Sequence, residues 1–162
     1  MKEVEEALAL FGNDIYRLSL MYLKNTQDAE DIVQDTLLKL MQYNGFFNNR
    51  EHEKAWLLKV AVNLCKDKLK SAAYKRNVSL YDYQDTLESK AESFEEGNEV
   101  LEAVAKLPVK YRTVIHLYYY EGYSSVEISE IMKKSDSTVR SLLRRGRMLL
   151  QKSLKGGEDY EC

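Results

Sequence analysis

Apolar side chains recur every three or four positions along most of this chain, and that period predicts helices. The first runs from about Val4 to Lys24, with Leu8, Phe11, Ile15, Leu18 and Tyr22 on its inner side. Asn25-Thr26 supplies a turn and a cap. The second, Asp28 to Tyr43, buries Ala29, Ile32, Val33, Leu37, Leu40 and Met41 and turns Asp31, Gln34, Asp35 and Leu38 outward. Gly45 to Arg50 is a loop. A third helix from about Glu53 to Tyr74 points Trp56, Leu57, Val60, Ala61, Leu64 and Leu69 inward, with Lys59, Asn63, Lys66, Asp67 and Lys70 on the other side. From Asn77 to about Asn98 the period fails, and the polar, acidic residues read as a linker. Beyond it Val100, Leu101, Val104 and Leu107 make a short helix. Pro108 opens the next, which carries Val109, Val114, Ile115, Leu117 and Tyr118 and stops at Gly122.

The last third has the most specific pattern. Ser124 with Glu127 three residues on is a capping-box spacing, and Val126, Ile128, Ile131 and Met132 follow as an apolar side. The chain breaks at Lys133-Lys134-Ser135, and Ser135 caps a second helix with Asp136 in its first turn. In that helix Val139, Leu142, Leu143, Gly146, Leu149 and Leu150 form one inner stripe, in which Gly146 signals close packing. The far side presents Ser137, Ser141, Arg144 and Met148, with Arg140 beside them. Two helices at a tight turn, the second with hydroxyls and guanidiniums near its start, follow the plan of a DNA-reading helix-turn-helix. A basic amphipathic helix on a solvated surface gives the same composition, and the capped helix before this one weighs against that reading.

Composition narrows the class. One Pro and seven Gly in 162 residues, with no alternating β-branched runs, favour an all-helical protein of one domain or two small ones. Cys65 and Cys162 offer neither a disulfide framework nor metal-ligand spacing and suit a reducing cytosol. No apolar run reaches the roughly 18 residues that span a bilayer. No signal peptide opens the chain, so a cytoplasmic protein without membrane insertion is expected.

The formal net charge of −2 hides a segregation. Met1 to Glu53 holds five basic and ten acidic residues, net −5, and Lys54 to Val78 holds seven and one, net +6. Ser79 to Ala103 has one basic and eight acidic, net −7, and Met132 to Lys155 has eight and one, net +7. Two basic blocks separated by an acidic one suggest two phosphate-facing surfaces on a divided protein.

The candidate chemistry is binding rather than catalysis. Asp31 and Asp35 fit a solvated helix face, whereas Leu38 among them fits a face where another protein docks. Asn63 is a poor helix former set among lysines, and its amide suits a base edge. Trp56 and Cys65 read as core, and Tyr118, Tyr119 and Tyr120 as core and rim packing rather than a base-stacking platform. His52 and His116 are isolated. No phosphate-cradling glycine loop, metal-ligand set or nucleophile–base pair is present, so neither an enzyme, a metal site, a cofactor nor a small-molecule substrate is expected.

Taken in order, DAEDIVQDTLLKL, AWLLKVAVNLCKDKL, LPVKYRTVIHLYYYEGYSSVEISEIM and STVRSLLRRGRMLL resemble the extracytoplasmic-function sigma factors, the small two-domain branch of the sigma-70 family. The resemblance runs from about Leu10 to Leu154. It implies an all-α protein with a helical region 2-like domain at 1–76, an acidic linker at 77–98, a region 4-like helix-turn-helix domain at 99–155 and a tail at 156–162. It further implies a subunit of bacterial RNA polymerase that directs promoter-specific initiation, with core polymerase, promoter DNA and an anti-sigma protein as partners. Asp31, Gln34, Asp35 and Leu38 would then meet polymerase. Lys59, Asn63, Lys66, Asp67 and Lys70 would meet the −10 element. Ser137, Thr138, Arg140, Ser141, Arg144, Arg145 and Arg147 would meet the −35 element. The alternative is a helix-turn-helix regulator that binds operators without being a polymerase subunit.

The chain departs from the family's pattern in four places. Lys133 and Ser137 stand where the family usually has Gly, so Lys133 is expected in a left-handed conformation. Leu142 replaces a common basic residue and Arg144 a common Ser, which implies a −35 preference of its own. The tail is short, so no attached sensing domain is expected.

Overall fold

The computed structural model describes residues 2–76 and 99–154, and among them the chain forms helices and no strands. It divides into two compact units, Met1–Lys90 and Ala91–Cys162. The acidic linker expected at 77–98 and the tail at 156–162 lie outside the described residues.

The first unit is built from α1 (Lys2–Leu23), α2 (Thr26–Gln42) and α3 (Arg50–Arg76), each packed against the other two. Their shared core holds Ile15, Leu18 and Leu23 of α1, Ile32 of α2, and Leu57, Leu58 and Val62 of α3, all essentially sealed from solvent. Each such side chain contributes roughly 1.5–3 kcal/mol on burial. The turn after α1 is made by Lys24, whose backbone is left-handed (φ 54) and whose N–H donates to the Leu20 carbonyl at 2.7 Å. Asn25 then caps α2, its Oδ1 accepting from the Asp28 N–H at 2.9 Å. The buried hydroxyls of Ser19 and Thr36 donate back to the Ile15 and Ile32 carbonyls, each at 2.7 Å, so neither is left unsatisfied.

Three inner stripes differ from the sequence expectation. On α1 the core position is Ala7, and Leu8 is exposed. On α2 Val33 is only half-buried and Met41 is exposed. On α3 the buried residues are Leu57, Leu58, Ala61, Val62 and Cys65, one position later than expected, while Trp56, Val60, Leu64 and Leu69 are half-buried. Two packing partners explain α3: α1 and α2 together cover a wide arc, and the residues facing both win over those on the flanks. Cys65 is a core residue, and burial pushes its thiol up to about 12, which keeps it protonated and unreactive.

The second unit is built from α4 (Glu99–Ala105), α5 (Val109–Ile115), α6 (Ser125–Met132) and α7 (Asp136–Leu154). α5 runs directly into a π-helical turn at His116–Tyr120. α7 is the spine, against which α4, α5 and α6 all pack. Val104, Leu107, Val114, Ile115, Leu117, Ile128, Ile131, Met132, Val139, Leu142 and Leu143 form the core. Arg112 is buried but satisfied, its Nη1 donating to the Leu107 carbonyl at 2.6 Å. A Cβ at Gly146 would stand 2.7 Å from Ile115 Cδ1 and 3.3 Å from Tyr111 Cβ, so glycine is there for close helix packing. Val100, Val126 and Leu149 are exposed and Leu150 is half-buried, contrary to the sequence expectation. Val100 and Val126 lie in the first turns of α4 and α6 and Leu149 and Leu150 toward the end of α7, where the apolar stripe outlasts its cover.

Lys133 links α6 to α7 in a left-handed conformation, φ 58 and ψ 47. A β-carbon there costs roughly 1–2 kcal/mol against glycine. Lys133→Gly is therefore expected to stabilise this unit by about 1 kcal/mol and raise its thermal midpoint by a few degrees. Calorimetry of the full chain checks it, and a lower midpoint would mean that the lysine side chain adds more than its backbone loses.

Candidate nucleic-acid and docking interfaces

In the second unit the helix-turn-helix is fixed at every joint. Ser124 Oγ accepts from the Glu127 N–H at 3.1 Å, and Glu127 Oε1 accepts from the Ser124 N–H at 2.8 Å. Ser135 Oγ accepts from the Thr138 N–H at 3.1 Å, donates to Thr138 Oγ1 at 2.8 Å and lies 3.3 Å from Ser137 Oγ. Asp136 joins the two helices: Ser125 Oγ donates to it at 2.6 Å, and Arg140 Nε meets its other oxygen at 3.1 Å. That contact was not foreseen, although Asp136 and Arg140 stand at the four-residue spacing that pairs charges on a helix.

Opposite the buried stripe of α7, Ser137, Arg140 and Arg144 are exposed and Ser141 is half-buried, and the exposed Thr138, Arg145 and Arg147 lie on its flanks. A groove of about 720 Å³ runs beside them, lined among others by Tyr118, Ser124, Ser125, Arg140, Arg144 and Arg147. The guanidiniums that line it are exposed, the chemistry that holds phosphates and acceptor-rich base edges.

The π-helical turn shapes one wall. Its extra residue per turn keeps His116 and Leu117 buried while Tyr118, Tyr119 and Tyr120 emerge in succession. The tyrosines are thus all rim and none core. Tyr120 stacks on His116 at 4.9 Å, and the Glu121 carboxylate lies 3.9 Å from His116 Nε2. Arg147 Nε donates to the Tyr119 hydroxyl at 2.6 Å.

In the first unit Gln34, Asp35 and Leu38 lie exposed on α2. Asp31 is set apart from them, for Lys68 of α3 pairs with it at 3.4 Å and with Asp28 at 3.6 Å. The exposed apolar surface continues along the chain through Met41, Tyr43 and Phe46, the last 81% exposed. On α3, Lys59, Asn63 and Lys66 are half-buried and Asp67 and Lys70 exposed. They share a face by helical spacing, with Trp56 two turns before Asn63.

Trp56 is not a core residue. It packs on Tyr43 at 4.6 Å and Phe47 at 5.5 Å, and His52 meets Phe47 edge-on at 5.4 Å. This aromatic cluster was missed in the sequence, where the loop reads only as a break. Five aromatic rings within the stretch from Tyr43 to Trp56, at 43, 46, 47, 52 and 56, were the available signal. Among the described residues no group of His, Cys, Asp and Glu could hold a metal ion, and no helix is long and apolar enough to cross a membrane.

Comparison with known proteins adds the family. The Sigma-70 region 2 family matches residues 9–74, and the Sigma-70, region 4 family matches residues 97–150. The chain is 30% identical over 160 residues to the ECF RNA polymerase sigma factor SigW of Bacillus subtilis, covering 90% of this chain and 86% of that protein. It is 31% identical over 141 residues to the RNA polymerase sigma factor SigV of the same organism, covering 85% and 82%. Its fold is similar to that of the sigma factor RpoE solved with the anti-sigma factor NepR from Bartonella quintana. That match has a TM-score of 0.72 at 19% identity over 96% of this chain and 99% of that one.

Proposed function

We propose that this chain, which belongs to the extracytoplasmic-function RNA polymerase sigma factors of the sigma-70 family, divides initiation among three surfaces of named residues. As a sigma factor it binds core RNA polymerase and directs promoter-specific transcription initiation. Gln34, Asp35 and Leu38, with Asp31 at their edge, dock on polymerase. Asn63 reads the −10 element, with Lys59, Lys66 and Lys70 on its phosphates and Asp67 beside it. Ser137, Thr138, Arg140, Ser141 and Arg144 face the −35 major groove, with Arg145 and Arg147 on phosphates. The boundaries that go with this are a first domain at 1–76, a linker at 77–98 and a second domain at 99–155. It catalyses no reaction itself, works in the cytoplasm, and is held off polymerase by an anti-sigma protein that masks these same faces.

The observation that carries the reading is the doubly capped helix-turn-helix with its hydroxyl- and arginine-lined face. A regulator that binds operators without polymerase would not need a region 2 match over residues 9–74. The test is reconstitution: purified chain added to core polymerase, with transcription read from a promoter library. Selection of a −10 and a −35 sequence supports the reading, and operator binding that is indifferent to polymerase rejects it.

The −10 assignment has its own test in the same assay. Promoter opening takes at least one base out of the stack, and an amide can both donate to and accept from a base so exposed. Asn63→Ala is expected to change base preference in the −10 element by roughly tenfold at one position. Lys66→Ala lowers transcription on all sequences alike. An unaltered −10 preference in the Asn63 variant removes its reading role.

A further inference from the structure

We infer that Tyr119 and Arg147 together form a phosphate clamp at the edge of the recognition helix, in which the tyrosine both positions the arginine and donates a hydrogen bond of its own. The inference rests on the −35 reading for its location but not for its test.

The geometry singles out this pair. Arg147 Nε donates to Tyr119 Oη at 2.6 Å, a short contact for an N–H···O bond. The same guanidinium lies 5.6 Å from the Tyr118 ring centroid and 5.7 Å from that of Tyr119. The two rings brace each other edge-to-face at 4.8 Å. One planar cation is thus held on its Nε edge by the Tyr119 hydroxyl and lies over the Tyr118 ring. These contacts leave the Nη1/Nη2 edge to present paired donors, the arrangement that suits a phosphate. The phenol accepts from Arg147 through a lone pair, so its own proton is left to donate. Tyr119 is 58% exposed, and Arg147 lines the groove shared with Arg140 and Arg144.

A backbone phosphate is the fitting ligand. Arg147 stands seven residues beyond Arg140, away from the end of the helix that enters a groove. A guanidinium fixed on two sides cannot follow base edges, but it can set register on the duplex. Tyr118 and Tyr119 both lie in the π-helical turn, where each residue turns the chain by somewhat less than the roughly 100° of an α-helix.

The test uses the full chain assembled with core polymerase and measures promoter binding over a range of salt, on DNA with an intact and with a scrambled −35 element. The proteins are wild type, Tyr119→Phe, Arg147→Ala and the double variant. Tyr119→Phe keeps the ring and removes only the hydroxyl. It is expected to weaken binding three- to tenfold on both DNAs, with base preference and unfolding midpoint unchanged. Arg147→Ala lowers the salt slope by about one unit, whereas Tyr119→Phe leaves it near wild type because no charge is lost. In the Arg147→Ala background the second change costs less than in wild type, because only the hydrogen bond of the tyrosine itself is then lost. Wild-type affinity in Tyr119→Phe, an equal loss with and without Arg147, or a loss matched by a lower midpoint overturns the clamp. Failure of the −35 reading shows separately, as a wild type that binds intact and scrambled DNA alike, and coupling between 119 and 147 is still read on either DNA.

Discussion

Leu38→Glu is expected to lower co-purification with core RNA polymerase by tenfold or more while leaving the helical fold intact. Leu38 is 49% exposed on α2, beside exposed Gln34 and Asp35. A leucine held at the surface among polar neighbours loses little folding energy when replaced. In an interface it is different: truncation of an anchor costs about 2 kcal/mol or more. A glutamate there adds the desolvation of a charge that has no arranged partner. Asp35→Lys reverses a rim charge and is expected to act chiefly on the association rate, with a stronger effect at low salt. Pull-down of core polymerase by tagged variants, with circular dichroism as the fold control, measures both. If both variants recover polymerase as the wild type does, α2 is not the docking helix. Asp31 is the informative comparison, since its ion pair with Lys68 ties it to α3 and its replacement should disturb the unit's own packing as well.

The helices were legible because their caps and periods are local. Asn25, Ser124, Glu127 and Ser135 all act within four residues of themselves, and each makes the bond its spacing implies. The left-handed Lys133 was legible through the resemblance, since it stands where the family usually has Gly. The family resemblance was legible too, and the matches over residues 9–74 and 97–150 support it.

What the sequence concealed was whatever depends on a second element. The phase of α3 was misplaced because apolar residues lie around much of its circumference, and only the positions of α1 and α2 decide which of them are sealed. Trp56 is drawn off the core by Tyr43 and Phe47, which precede it across a loop. Asp136 reads as a first-turn acid, but its partners are Ser125 on the preceding helix and Arg140 on its own. The Tyr119–Arg147 bond spans 28 positions and depends on a π-helical turn that no period in the sequence announces.

Arg140→Ala and Arg144→Ala are each expected to relax selectivity at one −35 position, by roughly tenfold to a hundredfold, as loss of a paired contact to guanine worth about 1–3 kcal/mol would. Both are exposed beside the groove on the face of α7 away from Val139, Leu142 and Leu143. Arg140 starts from a pair with Asp136, its Nε at 3.1 Å from the carboxylate. That pair is largely exposed, with the arginine side chain 64% accessible and the aspartate 37%, so it is worth about 0–1 kcal/mol. A bidentate guanine contact is the stronger interaction, and the ion pair through Nε leaves the two Nη groups to make it. On this reading Arg140 would meet its base close to the helix start, and Arg144 one turn further along. Promoter-library transcription by reconstituted holoenzyme separates the two by which base loses its preference. If Arg147→Ala alters sequence preference while Arg140→Ala and Arg144→Ala do not, the face of α7 placed toward the bases is the wrong one, because all three side chains are set by the same helical phase.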